Sequence, residues 1–210
     1  MENIQKIFDF INTINRLKYE LRFKKRCSNV DSVAAHSWRL AMMVYLLGRE
    51  LNIGLDVDKC MKIAIVHDLA ETLTGDLTWD DAFANPKLVT KKEVAEETAM
   101  KKLTAILPAH LGDEIYALSK EYRDATTPEA WFVKIMDKLE CAEQVIFMGM
   151  DKVGDWEATA HHTMKGFGKF PEVDKVINFV RNRQKAEFIK HGIEWLPEWD
   201  LKNPEEKESI

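Results

Sequence analysis

Apolar residues recur at three- and four-residue spacing along nearly all of this 210-residue chain. No stretch alternates apolar with polar as a half-buried strand would. That periodicity confines the chain to an all-α fold, a helical bundle. Ile4, Ile7, Phe8, Ile11 and Ile14 form an inward stripe on a first helix. A basic loop spans 22–29, and Ser32 caps a helix over 33–51 with Leu40, Val44 and Leu47 inward. Asn52-Ile53-Gly54 ends it. Asp56 or Asp58 starts the next helix, which carries Met61, Ala64, Ile65 and Leu69 inward and closes near Gly75. The segment 77–86 reads as a loop. Residues 87–107 read as a charged helix with a narrow stripe (Val94, Thr98, Leu103, Leu107) and a solvated outer face. Pro108 breaks it. Short helices over 111–122 follow, then a strong one over 128–150 opened by Pro128, and two more over 156–167 and 173–190. With no repeat and no linker, residues 1–190 make one domain. The tail, 191–210, is packed by its tryptophans or partly disordered.

Bulk properties narrow the function. Nearly half the chain is apolar, enough for a real core. The net charge of -5 gives no footprint for a nucleic-acid polymer, while leaving room for a small phosphorylated ligand. Cys27, Cys60 and Cys141 form neither a disulfide framework nor a CxxC pair, and Cys60 and Cys141 read as buried, reduced thiols of a cytoplasmic protein. No signal peptide and no membrane span are visible.

Four residues break the apolar faces. His36 shares a face with Leu40, Val44 and Leu47. His67 and Asp68 follow Cys60 and Ala64, and Asp137 lies between Val133 and Cys141. Imidazoles and carboxylates on such faces are costly unless compensated. Alone, each is more simply a hydrogen-bonded core histidine or half of an ion pair. Together they offer two nitrogens and two oxygens, a set suited to one divalent Mn, Fe, Co, Ni or Zn and too nitrogen-rich for calcium. Three helices each pointing ligands inward would place that metal at the centre of a bundle, with room for a water nucleophile and a substrate.

His36, then His67-Asp68, then Asp137 resembles the H…HD…D pattern of HD-domain metal-dependent phosphohydrolases. The run His67-Asp68-x-x-Glu71-x-x-x-Gly75-Asp76-Leu77, with 29–37 before it and 134–140 after it, is similar to the branch containing bacterial 5'-deoxynucleotidases. The similarity covers roughly residues 1–150 and continues weakly to about 190. It implies an HD helical bundle, one transition metal on His36, His67, Asp68 and Asp137, and a homodimer. It also implies that Glu71 and Asp76 serve catalysis and substrate binding. One helical turn past His67, Glu71 would act as general acid or base or, alternatively, would orient His67. Asp76 would meet a sugar hydroxyl or merely cap the next turn. The branch's early Arg-Trp pair is absent, with Arg22-Phe23 nearby. The stretch 77–81 is acidic where a phosphate site prefers cations. Arg22 and Lys87 are the candidate phosphate-binding cations. Thr72 departs from the alarmone-hydrolase pattern, and His110 alone between Asp68 and Asp137 favours one metal over two. His161-His162 reads as surface. Trp38 reads as core packing in preference to a pocket wall.

The resulting expectation is a metal-dependent phosphomonoesterase acting on a small phosphorylated metabolite, a nucleoside or deoxynucleoside 5'-monophosphate. A phosphodiesterase on cyclic or other small nucleotides is the second reading, and a metal-stabilised regulatory module without turnover the third.

Overall fold

The computed structural model describes residues 1–22, 31–77, 85–149 and 156–201. Among them there is no strand, only one antiparallel bridge between Leu21 and Ser32. Helix α1 (Glu2–Ile14) runs into a 3₁₀ turn (Asn15–Lys18). There follow α2 (Val33–Leu51), α3 (Val57–Val66), the single-turn α4 (Glu71–Thr74), α5 (Pro86–Thr104) and α6 (Ala109–Asp124). Helices α7 (Pro128–Met148), α8 (Trp156–His162) and α9 (Pro171–Lys190) complete the bundle, with a 3₁₀ turn at Pro197–Trp199.

Side-chain caps fix the starts. Ser32, Asp56, Asn85 and Thr127 each accept a backbone N–H from the first turn they precede, satisfying donors a helix leaves orphaned. Prolines occupy the first position of α5, α7 and α9, where no N–H is needed. Asn52 ends α2 in the left-handed region. Helices α5 and α6 approach so closely at Gly112 that a Cβ there would lie 2.5 Å from the Thr104 carbonyl oxygen.

Two apolar cores result. One joins α2, α3, α7 and α9 through Leu40, Val44, Ile63, Phe132, Met136 and Ile177. The other joins α1, α5 and the turn after α3 through Phe10, Leu69, Met100 and Leu103, with Leu111 and Ile115 of α6 packed against it. A third cluster packs Trp156, Phe188, Trp195 and Trp199. Trp195 and Trp199 of the tail pack into this cluster, and 202–210 lie outside the described residues.

Several expectations need correction. The helix expected from residue 56 to 75 is interrupted: residues 67–70 form a tightened turn between α3 and α4. Leu69, Glu71, Thr72 and Leu73 donate to carbonyls three residues back, not four, which is 3₁₀ winding. Helix α6 is one helix where short ones were expected. On α1, Phe10 is buried while Ile4, Phe8 and Ile11 are exposed. Ile65, Val94 and Thr98 also face outward, and the inward stripe of α5 is Ala99, Met100 and Leu103. Trp38 does not pack in the core; it is 69% exposed on α2. Hydrophobicity alone does not say which way a side chain points, and on α2 the face of His36, Leu40 and Val44 takes the interior. His162 is half-buried and near enough to feel the charges of Lys138 and Asp137, so it is not simply surface. The basic loop beyond Arg22, Cys27 and most of the 77–86 segment lie outside the described residues.

Candidate active site

Helices α2 and α7 and the turn after α3 bring His36, His67, Asp68 and Asp137 together. His36 Nε2 lies 3.3 Å from His67 Nε2, 3.2 Å from Asp137 Oδ1 and 3.7 Å from Asp68 Oδ2. His67 Nε2 lies 2.9 Å from Asp68 Oδ2. Ligand atoms about 2.1 Å from one ion, at angles between octahedral and tetrahedral, are about 3.0–3.4 Å apart. The observed spacings bracket that range. Among the described residues, His36, His67 and Asp68 have ligand atoms close enough to one another to hold one metal ion.

The ligand atoms are held from behind. His36 Nδ1 meets Glu140 Oε2 at 2.5 Å, and His67 Nδ1 meets the Ala64 carbonyl at 2.8 Å. An acceptor behind each ring assigns the ring proton to Nδ1, so both Nε2 lone pairs face the centre. Two such lone pairs and two carboxylate oxygens cannot satisfy one another; only a cation or added protons can. Without an ion, the proton goes to His36. Burial and the Arg22 charge pull its pKa down, but Asp137 and Glu140 prevail and push it up to about 9. A divalent ion would take that proton's place. Asp137 Oδ2 accepts from the Tyr122 hydroxyl at 2.8 Å and from Lys138 Nζ at 2.6 Å, leaving Oδ1 toward His36. Burial opposes charge on Asp137, yet Lys138 and His36 hold its carboxyl well below the usual carboxylate range.

Glu140 is itself anchored by Arg22 Nη1 at 3.4 Å and Arg39 Nε at 3.3 Å. The Arg22 guanidinium thus lies behind His36, with Asp31 Oδ2 at 4.0 Å as a further partner. Lys87 is exposed near the start of α5, its backbone N–H on Asn85 Oδ1. Neither cation expected at the phosphate lies among the four ligand groups.

Glu71 is 2% exposed. In 3₁₀ winding, residues three apart eclipse, so the tightened turn stacks Glu71 over Asp68 where a regular helix would have stacked it over His67. The Ala64 carbonyl, not Glu71, orients His67. Glu71 Oε1 accepts from Lys92 Nζ at 2.8 Å, whereas Oε2 is buried without a hydrogen-bond partner. Burial, then the Asp68 charge, push its carboxyl up to about 9 against the opposing pull of Lys92. A carboxyl in that range holds its proton near neutral pH, and a buried group shifted in this way is a candidate acid or base. Asp76 follows Gly75, which turns the chain at φ +73, and its backbone N–H donates to Glu20 Oε1 at 3.1 Å. The sequence reading missed Lys92, Tyr122, and the supporting roles of Lys138, Glu140 and Arg39.

Comparison with known proteins agrees with this architecture. The HD-domain family model matches residues 14–174. A 5'-deoxynucleotidase, HDDC2, from Xenopus laevis is 30% identical over 89% of this chain and 91% of its own. Its human counterpart, also named 5'-deoxynucleotidase HDDC2, is 35% identical over 64% of each chain. A solved HD-domain phosphohydrolase from Listeria innocua superposes with a TM-score of 0.69 at 18% identity, over 92% of this chain and 95% of that one. The chain belongs to the HD-domain family.

Proposed function

We propose that this protein is a divalent-metal-dependent phosphomonoesterase that releases phosphate from nucleoside and deoxynucleoside 5'-monophosphates. The observation that carries the reading is the convergence of two imidazole lone pairs and two carboxylate oxygens beside a buried carboxyl with one bare oxygen. The 5'-deoxynucleotidase names of relatives support the substrate class.

His36, His67, Asp68 and Asp137 would hold the ion. When bound, it supplies positive charge at the phosphoryl oxygens and acidifies water. Glu71 Oε2 moves the proton of the attacking water, and its burial keeps that proton from exchanging freely with solvent. Lys138, beside Asp137, adds positive charge where the phosphate gathers negative charge. Asp76 accepts from a sugar hydroxyl. Arg22 acts on the phosphate only indirectly, by fixing Glu140 and through it His36, while Lys87 would reach substrate from the start of α5. A cytoplasmic homodimer belongs to the same reading.

Phosphate release tests it. Purified protein is loaded with Mn, Co, Ni, Zn or Fe and offered deoxy- and ribonucleoside 5'-monophosphates, a cyclic nucleotide and an aryl phosphate. The expected result is turnover of the nucleoside monophosphates, abolished by chelation and restored by metal. Hydrolysis of the cyclic nucleotide alone would make it a phosphodiesterase. Metal binding with no turnover of any compound would make it a regulatory module.

A further inference from the structure

Helix α5 reads as a solvated, charged helix, yet one of its lysines serves the interior. Lys92 places Nζ 2.8 Å from Glu71 Oε1 and 3.2 Å from Glu96 Oε1, one turn further along α5. Its side chain is about a quarter exposed, whereas that of Glu71 is almost fully enclosed. Lys92 falls four, seven and eleven residues before Glu96, Ala99 and Leu103, on the face that packs inward. A carboxylate with one oxygen tied has its rotation fixed. With Oε1 on Lys92, Oε2 has only the opposite direction, and it is the oxygen left without a hydrogen-bond partner. Among the described residues, no other hydrogen bond to Glu71 chooses between its two oxygens.

We propose that Lys92 is a positioning residue for Glu71: it clamps Oε1, and so aims Oε2 at the place where the proton is transferred. Glu96 also pairs with the ammonium, so that Lys92 bridges two carboxyl groups. Removing Lys92 leaves the buried Glu71 carboxyl with neither oxygen tied and no fixed rotamer. The proposal rests on the hydrolase reading above and adds a residue which that reading does not require.

The test compares wild type with Lys92→Met, Glu71→Gln and the double variant, all saturated with metal. It reads kcat and KM on the nucleoside monophosphate turned over fastest, and melting temperature separately. Lys92→Met should lower kcat by about 10-fold or more, the scale for losing a partner that orients an active group, and leave KM within about twofold. In the Glu71→Gln background the same change should cost no further kcat, because both act through one group. Lys92→Met should also lower the melting temperature of the parent more than that of Glu71→Gln, since the contact between Lys92 Nζ and the Glu71 carboxyl is already gone there. A raised KM, with losses that multiply in the double variant, would make Lys92 a direct phosphate ligand and overturn the proposal. Equal melting losses in both backgrounds, with kcat unmoved, would overturn it as well. If wild type hydrolyses nothing, the proposed function fails, and the melting comparison still decides whether Lys92 and Glu71 act as a pair.

Discussion

The polar cluster around Asp137 and the one around Arg181 are both buried, and they differ in how they end. In the C-terminal part, Arg181 Nη1 donates to the Ala160 carbonyl at 2.7 Å and to Thr163 Oγ1 at 2.7 Å, and Nη2 donates to the Trp199 carbonyl. Thr163 passes its own proton to Gln184 Oε1 at 2.9 Å, and Gln184 Nε2 reaches the Thr159 carbonyl at 3.3 Å. The guanidinium lies 5.1 Å from the Trp195 ring centre. Donors meet acceptors throughout, and tryptophans close the outside. The Asp137 cluster reverses this. Its supporting atoms are tied by hydrogen bonds and ion pairs, Glu140 Oε1 by the Arg39 ion pair and no hydrogen bond, but the atoms that face inward are all acceptors. A saturated buried network specifies a fold; one whose surplus acceptors converge on a point specifies a ligand.

The sharpest way to break that contrast is to remove an inward acceptor. Asp68→Ala or Asp137→Ala should lose the metal by elemental analysis and lower turnover by at least about 10³-fold, because several kcal/mol of transition-state stabilisation go with the ion. Retained metal and turnover in either variant would return these residues to an ordinary ion-pair network. Next in size is metal removal. Binding at about 100 times Kd stabilises by about 2.7 kcal/mol, so chelation should lower the melting temperature by about 5–10 °C for a chain of this size. An unchanged melt would mean that the four groups satisfy one another by sharing protons. The smallest effect on chemistry belongs to the other cluster. Arg181→Met leaves buried carbonyls unpaired, at about 1–3 kcal/mol each. It should lower the melting temperature by about 5 °C or more while metal-saturated turnover stays within about twofold. A large loss of turnover there would erase the distinction between the clusters.

Much of the centre is legible in the sequence because an imidazole or carboxylate on an apolar face is conspicuous: His36 among Leu40 and Val44, Asp137 between Val133 and Cys141. The helical class follows from periodicity for the same reason. Lys92 carries the same signal, being in phase with Ala99 and Leu103, but the many charges of α5 conceal it. Glu140 sits in an apolar run three residues past Asp137 and is legible as a buried acid, though its partner, His36, is 104 residues away. No local pattern reveals that pairing. Nor does periodicity reveal the break between α3 and α4, since residues 67–70 keep helical composition while their hydrogen bonds shorten by one residue. The exposed Trp38, Phe8 and Val94 show the converse error, in which apolar character was read as direction.

The tightened turn matters for how such a protein can change. In a continuous helix, gaining or losing one residue rotates everything beyond it by about 100°. Here two ligand groups and the buried carboxyl occupy five consecutive positions, 67–71, on a turn braced by its own backbone hydrogen bonds. Gly75, at φ +73, then diverts the chain out of that geometry. Length and composition beyond Gly75 can therefore drift without turning the five-residue block. The part of the site carried by this turn can thus keep its geometry while the chain that follows it is altered.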